Sequence, residues 1–179
     1  SVSGWTAVAD STGKAINGDR QCTLTLCIPR TPGEFGDFVA LRSRRSGEAI
    51  RFPEAGVVLT EKLCEELGVG VGDRVTLENA DGEEAATTVA GVTENYIVSY
   101  AYLTGETYRT LFGSEPEYTT LLCRFADGAD ADRLSSEVMA TGHVIYASSS
   151  VSLKNTFADS IKSINGVVVV LILAAGLLC

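Results

Sequence analysis

The side chains of this sequence that could do chemistry are few, and their spacing sets up no reaction. The only histidine is His143, between Gly142 and a strand-like run. A general base needs a nucleophile and an orienting carboxylate within reach, and no motif places either beside it. GVGVGDR (Gly68–Arg74) is glycine-rich. It has neither the GxGxxG order of a dinucleotide fingerprint nor the lysine of a phosphate loop, so it reads as turn glycines. Asp127, Asp130 and Asp132 begin like a calcium loop, but no glutamate follows at the closing position. They read more simply as acids at a helix N-terminus. Glu65-Glu66 and Glu83-Glu84 are adjacent in sequence and read as solvated faces, and neither HExxH nor CxxC occurs. The expectation is no catalytic, cofactor-binding or metal-ligating residue, and no cofactor.

The cysteines are Cys22, Cys27, Cys64, Cys123 and Cys179. Cys22 and Cys27 lie five apart in a strand-like run and therefore point to opposite faces, where they cannot bridge. The set reads as small buried apolar side chains, with no disulfide framework. Net charge is −9. That balance excludes a nucleic-acid partner, whose phosphates need a Lys/Arg face, and opposes adsorption to anionic lipid. The basic stretch LRSRRSGEAIRF (Leu41–Phe52) interrupts the acidic trend. Arg42, Arg44 and Arg45 there read as a solvated hairpin or loop turning at Ser46-Gly47, or as a dock for an acidic partner or phosphorylated lipid. Tyr96, Tyr100, Tyr102 and Tyr108 gather around one strand, with Tyr100 and Tyr102 on a shared face. Core packing and a partner surface are the two readings of that patch.

These residues must be positioned by elements that the pattern supplies in the order β, βα, βββ, αβ, αβ, α. A weak strand is expected at Trp5–Ala9, followed by turn residues to Asn17, and then a strand over Gln21–Pro29. A helical turn falls within Gly33–Leu41, and a buried strand at Val57–Leu59 leads to a helix capped by Thr60 and ended by Gly68. Strands follow near Arg74–Glu78, Glu84–Thr93 and Ile97–Leu103, the first two joined at Asp81-Gly82. Thr104 caps a helix that Gly113 closes. Next come a strand over Tyr118–Phe125, a helix from Asp130 or Ala131 to Ala140 with Leu134 and Val138 inward, and a strand over Val144–Ala147. The fold class is α+β: a mixed sheet packed with helices, plus a small antiparallel β subdomain at about 69–103.

The C-terminal part changes character. Leu153, Phe157, Ile161 and Ile164 recur on one helical face, opposite Lys154, Asn155, Asp159, Lys162 and Ser163. The helix they imply runs into GVVVVLILAAGLLC (Gly166–Cys179), which is apolar on every side. At 1.5 Å per residue that run covers roughly 21 Å, short of a ~30 Å hydrocarbon core. By length alone it reads as a buried core helix or strand or as a partial membrane span; its end in apolar residues and lack of a polar face favour the span. The expected layout is a domain over residues 1–149, an amphipathic stalk over 150–165 and the truncated start of a transmembrane helix over 166–179. Ser1-Val2-Ser3-Gly4-Trp5 reads as a cut inside a longer protein.

One long stretch is recognisable. VVLTEKLCEELGVGVGDRVTLENADGEE (Val57–Glu84) resembles the extracytoplasmic domain of FtsX-like or MacB-like ABC transporter permeases, including the turn Leu67–Val75. VAGVTENYIVSYAYLTGETYRTLFG (Val89–Gly113) resembles the segment that follows in that family, and FADSIKSINGVVVVLILAAGLL (Phe157–Leu178) its stalk entering a span. The resemblance implies a non-catalytic permease subunit in the cell membrane, with this domain on the extracytoplasmic side. It implies a separate cytoplasmic ATP-binding subunit, a second permease copy or homologous half, and a membrane anchor through the C-terminal helix. ATP hydrolysis would be coupled to export, to handling of peptides, lipids or lipoproteins, or to regulation of the cell envelope. The alternative is a sensor or adhesive ectodomain of another membrane protein.

Overall fold

A computed structural model of the protein describes residues 2–95, 98–126, 129–142 and 144–147. Contacts divide the chain into one compact unit, Val2–Arg124, and a second beginning at Phe125.

The first unit is built on a mixed seven-stranded sheet. Its strands are β1 (Val2–Asn17), β2 (Arg20–Pro29), β3 (Val57–Thr60), β4 (Arg74–Glu78), β5 (Glu84–Thr93), β6 (Tyr100–Tyr102) and β7 (Thr120–Phe125). They run in the order β2-β6-β3-β5-β4-β1-β7, and β1 also pairs with β2. That additional pairing joins six strands into a ring, with β7 beside β1 outside it. Within the ring β2–β6 and β3–β5 are parallel, and the remaining pairs are antiparallel. The helices are α1 (Pro32–Phe35), α2 (Glu61–Leu67), α3 (Gly105–Phe112) and, in the second unit, α4 (Ala131–Ala140). This is the expected α+β class.

Period-two alternation explains the packing. Leu24 and Leu26 of β2, Leu59 of β3, Leu77 of β4 and Ala101 of β6 share one core cluster, completed by Leu63 and Leu67 of α2. The intervening residues Cys27, Val58 and Tyr102 join Val8, Phe35 and Leu41 in a second cluster on the opposite face. Both faces of β3 are therefore apolar, which is why Val57-Val58-Leu59 is a continuous apolar run with no exposed side chain. Each such side chain contributes about 1.5–3 kcal/mol by leaving water.

The helix ends follow their residues closely. α3 starts where the Thr104 hydroxyl accepts from Thr107 N at 3.1 Å, and stops at Gly113, whose φ is +69°. α2 ends in a Schellman turn: Gly68 has φ +69°, and Val69 N donates to Cys64 O at 3.0 Å. Its start departs from expectation. Thr60 holds the N-cap position, but its Oγ1 accepts from Tyr100 N at 3.2 Å and so ties β6 to β3 instead.

Several sequence expectations are corrected. Asp10 to Lys14 is not a turn region, because β1 runs unbroken to Asn17 with partners on both edges at Lys14–Ile16. Tertiary pairing overrides the weak local preference there. Within 69–103, β4 and β5 form the expected antiparallel pair, and they also pair with β1 and β3. The last strand of that segment is confined to Tyr100–Tyr102. Residues 144–147 form no strand, and Ile145 and Tyr146 are exposed. On α4, Leu134 is half-buried while Val138 is exposed rather than inward. The expected stalk (150–165) and the apolar segment (166–179) lie outside the described residues. No helix among the described residues is long and apolar enough to cross a membrane.

Gly13 shows what a glycine in mid-strand is for. A Cβ there would sit 2.5 Å from the Glu78 carbonyl oxygen and 3.1 Å from Leu26. Gly13→Ala is therefore expected to destabilise the domain by about 1–3 kcal/mol through overpacking. Urea unfolding should show a lower midpoint at unchanged slope.

Candidate functional site

The basic hairpin and α1 together build a concave surface. Pro32 fixes the first turn of α1. The turn then tightens, with Phe38 N donating to Phe35 O at 3.0 Å and Val39 N to the same oxygen at 2.9 Å. The chain reverses through a short bridge, Arg42 opposite Ala49, in which Ile50 N donates to Leu41 O at 2.8 Å. Gly47 makes the turn possible with φ +71°. The expected hairpin over Leu41–Phe52 is thus present. Between it and α1 lies a groove of about 600 Å³, floored by Phe35 and Leu41 and flanked by Val39, Ile50 and Phe52. Phe35 meets Phe52 edge-on at 5.5 Å.

The arginines of the hairpin have different roles. Arg42 is an anchor. Its N–H donates to Thr93 Oγ1 at 3.1 Å, its carbonyl accepts from the same hydroxyl at 3.2 Å, and Glu94 N donates to that carbonyl at 2.9 Å. Its guanidinium also pairs with the Glu94 carboxylate. Arg44 lies 3.6 Å from Glu61, whose Oε2 is otherwise buried without a hydrogen bond. Both pairs are partly exposed and individually weak; their effect is to fix the hairpin against β5 and α2. Among the described residues Arg45 and Arg51 make no ion pair. Arg51, which the sequence did not single out, lines the groove.

A second cluster lies on the same face of the sheet as Phe35. Tyr100 and Tyr102 stack at 5.4 Å, as their shared face requires. Burial raises the pKa of both phenols. Tyr108 belongs to the opposite cluster, against Phe112 at 4.9 Å, so it does not extend that patch. Tyr96 lies outside the described residues, as do Asp127 and His143. Asp130 caps α4, its carboxylate accepting from Arg133 N at 3.0 Å. No group of acids, cysteines and histidine suited to a metal occurs among the described residues. In GVGVGDR the carboxylate of Asp73 accepts from Gly70 N at 2.8 Å, a turn with no phosphate cradle.

The cysteines divide by burial. Cys27 and Cys64 are buried, Cys22 is half-buried on the face opposite Cys27, and Cys123 is exposed, contrary to the expectation that all are inside. All four described thiols are free. Burial, and then the Asp10 carboxylate that its thiol hydrogen-bonds, push the Cys27 pKa far up. Burial beside Glu61 and Glu65 pushes Cys64 up to about 11. Thiols held protonated in this way are poor nucleophiles. Asp10, although an exposed residue, is raised above its ordinary 3.8 by partial desolvation of its carboxylate, against the opposing hydrogen bonds from Cys27 and Thr120.

No family model matches the sequence, and no curated protein matches it. Solved structures do share its fold. The extracellular domain of the noncanonic ABC-type transporter YknZ from Gram-positive bacteria superposes with a TM-score of 0.53 at 15% identity, over 79% of this chain and 76% of that one. The periplasmic region of MacB from Actinobacillus actinomycetemcomitans gives 0.50 at 14% identity, over 88% and 76%. The chain has the fold of an ABC-permease extracytoplasmic domain. In this permease-domain fold the α1–hairpin groove and the Tyr100–Asp10 cluster occupy the same face of the sheet, both built around the second core cluster.

Two results are expected from these environments. In the folded protein a water-soluble maleimide at pH 8 should modify Cys123 quickly, and Cys27 and Cys64 only on unfolding, as peptide mass mapping would show. For Asp10, a raised native pKa means that the folded state holds the proton more tightly. Its contribution to stability should therefore fall as pH rises from 3.8 through the raised value, and be level outside that window. Asp10→Asn should flatten that part of a stability–pH profile.

Proposed function

We propose that this chain is the extracytoplasmic domain of an ABC transporter permease subunit, non-catalytic itself, that couples ATP hydrolysis by a separate cytoplasmic subunit to work outside the membrane. The observation that carries this reading is the fold shared with the YknZ and MacB outer domains over 79% and 88% of the chain. The sequence resemblance over Val57–Gly113 falls on the ring strands β3 to β6 and on α2 and α3, the elements that make the fold. The buried thiols, held protonated, and the acids engaged in caps and turns fit a binding and coupling element better than an enzyme.

In this reading residues 150–165 form a stalk and 166–179 enter the membrane. The stalk's apolar face, Leu153, Phe157, Ile161 and Ile164, carries motion between the bilayer and the domain. A second permease copy or homologous half completes the machine, and the cargo is a peptide, lipid or lipoprotein. Two measurements test the proposal. The full-length protein purified from its native membrane should bring with it an ATP-binding subunit; recovery as a single-span protein joined to a signalling kinase would support a sensor instead. In the reconstituted complex, Ile161→Asp should leave ATP hydrolysis running while transport falls at least tenfold. Equal coupling in the variant would contradict the stalk.

A further inference from the structure

The groove between α1 and the hairpin has a feature that the permease reading leaves unused. The stretch Leu41–Phe52 holds four arginines against one glutamate, in a chain of net charge −9. Arg42 and Arg44 are committed to Glu94 and Glu61. Arg51 is exposed at the groove and makes no ion pair among the described residues. Below it the groove is lined by Phe35, Val39, Leu41, Ile50 and Phe52. Gly33, Gly36 and Gly47 also line it, and a Cβ on any of them would meet nothing within 4 Å, so no side chain crowds the opening.

We propose that this groove binds a single-chain amphiphile with an anionic head group, taken up as a monomer. The alkyl chain would lie along the Phe35–Leu41–Ile50 floor, and the head group would accept hydrogen bonds from the Arg51 guanidinium. Three observations point to this occupant. The volume, about 600 Å³, lies in the range of small-ligand sites and is concave rather than flat. An apolar floor and a cation that makes no ion pair among the described residues together match a ligand with one apolar and one anionic end. The strongly acidic remainder of the chain opposes approach to an anionic bilayer, which favours a monomer over a membrane surface. The proposal stands on the groove and does not depend on the permease reading.

The test is titration of the full chain with alkyl carboxylates below their micellar concentration, read from the methyl resonances of Val39, Leu41 and Ile50. Saturable shifts are expected, with affinity rising about fourfold per added CH₂ from octanoate to dodecanoate. Dodecyl maltoside should bind at least tenfold more weakly. Arg51→Gln should weaken dodecanoate binding about tenfold. Gly33→Trp adds a bulky ring at a groove-lining position where a Cβ meets nothing within 4 Å, and should abolish the shifts. Both variants change exposed positions, and unchanged resonances elsewhere confirm their fold. The proposal is overturned if dodecanoate leaves these methyls unmoved, if the maltoside binds equally well, or if Gly33→Trp still binds. It is also overturned if phosphatidylglycerol vesicles, but not monomeric dodecanoate, shift them.

Discussion

The pairing of β1 with β2 holds the domain together. Residues Val8–Asn17 face Pro29–Arg20 in unbroken antiparallel register, and that contact joins β2, at one end of the sheet, to β1, the strand next to the other end. Once the ring is closed, alternate side chains of every ring strand are enclosed together, and α2 and α3 add Leu63, Leu67, Tyr108 and Phe112 to the same core. The other face then needs its own cover. Phe35 of α1 and Leu41 of the hairpin supply it, resting on Val8, Cys27, Val58 and Tyr102. The groove lies in that cover, with Phe35 and Leu41 belonging both to the second cluster and to the groove lining.

Closure also decides how polar groups are used. Buried hydroxyls serve as links between non-local strands: Thr60 joins β6 to the end of β3, and Thr93 fastens the hairpin to the end of β5. Asn79, 3% exposed, organises the β4–β5 loop by accepting from Asp81 N at 3.0 Å and Glu83 N at 2.9 Å. A buried polar atom without a partner costs about 1–3 kcal/mol, so these residues are constrained almost as firmly as the leucines. Acids left over from such tasks lie at the surface and give the domain its negative charge.

Local signals in the sequence were readable where a single residue controls a local bond. Thr104 and Gly113 bound α3, Gly68 ends α2, and Asp81-Gly82 turns the β4–β5 hairpin, all as their chemistry predicts. What could not be read depends on distant partners. Asp10 to Lys14 lies in a strand because β2 and β4 flank it, and Gly13 is a point of close approach to Glu78, which resembles a turn glycine in sequence. The capping pattern at Thr60 correctly marked a helix, but the hydroxyl serves Tyr100, forty residues away in sequence. Tyr108 was grouped with Tyr100 and Tyr102 by proximity in sequence, whereas a strand and a helix send them to opposite faces. At the groove, the three clustered arginines were visible, but Arg51, which lines the groove and makes no ion pair among the described residues, was not. Only the geometry shows that Arg42 and Arg44 are engaged.

The fold and the sequence resemblance support the proposal of an acidic permease domain that works outside the membrane and presents its groove there. Location is the point on which that account depends most. Cys123 is exposed on β7 and offers a direct probe of it. In protoplasts expressing the full-length protein, with Cys179 replaced by serine, a membrane-impermeant maleimide should label Cys123 without lysis. Labelling that appears only after the membrane is broken would place the domain in the cytoplasm and contradict the account.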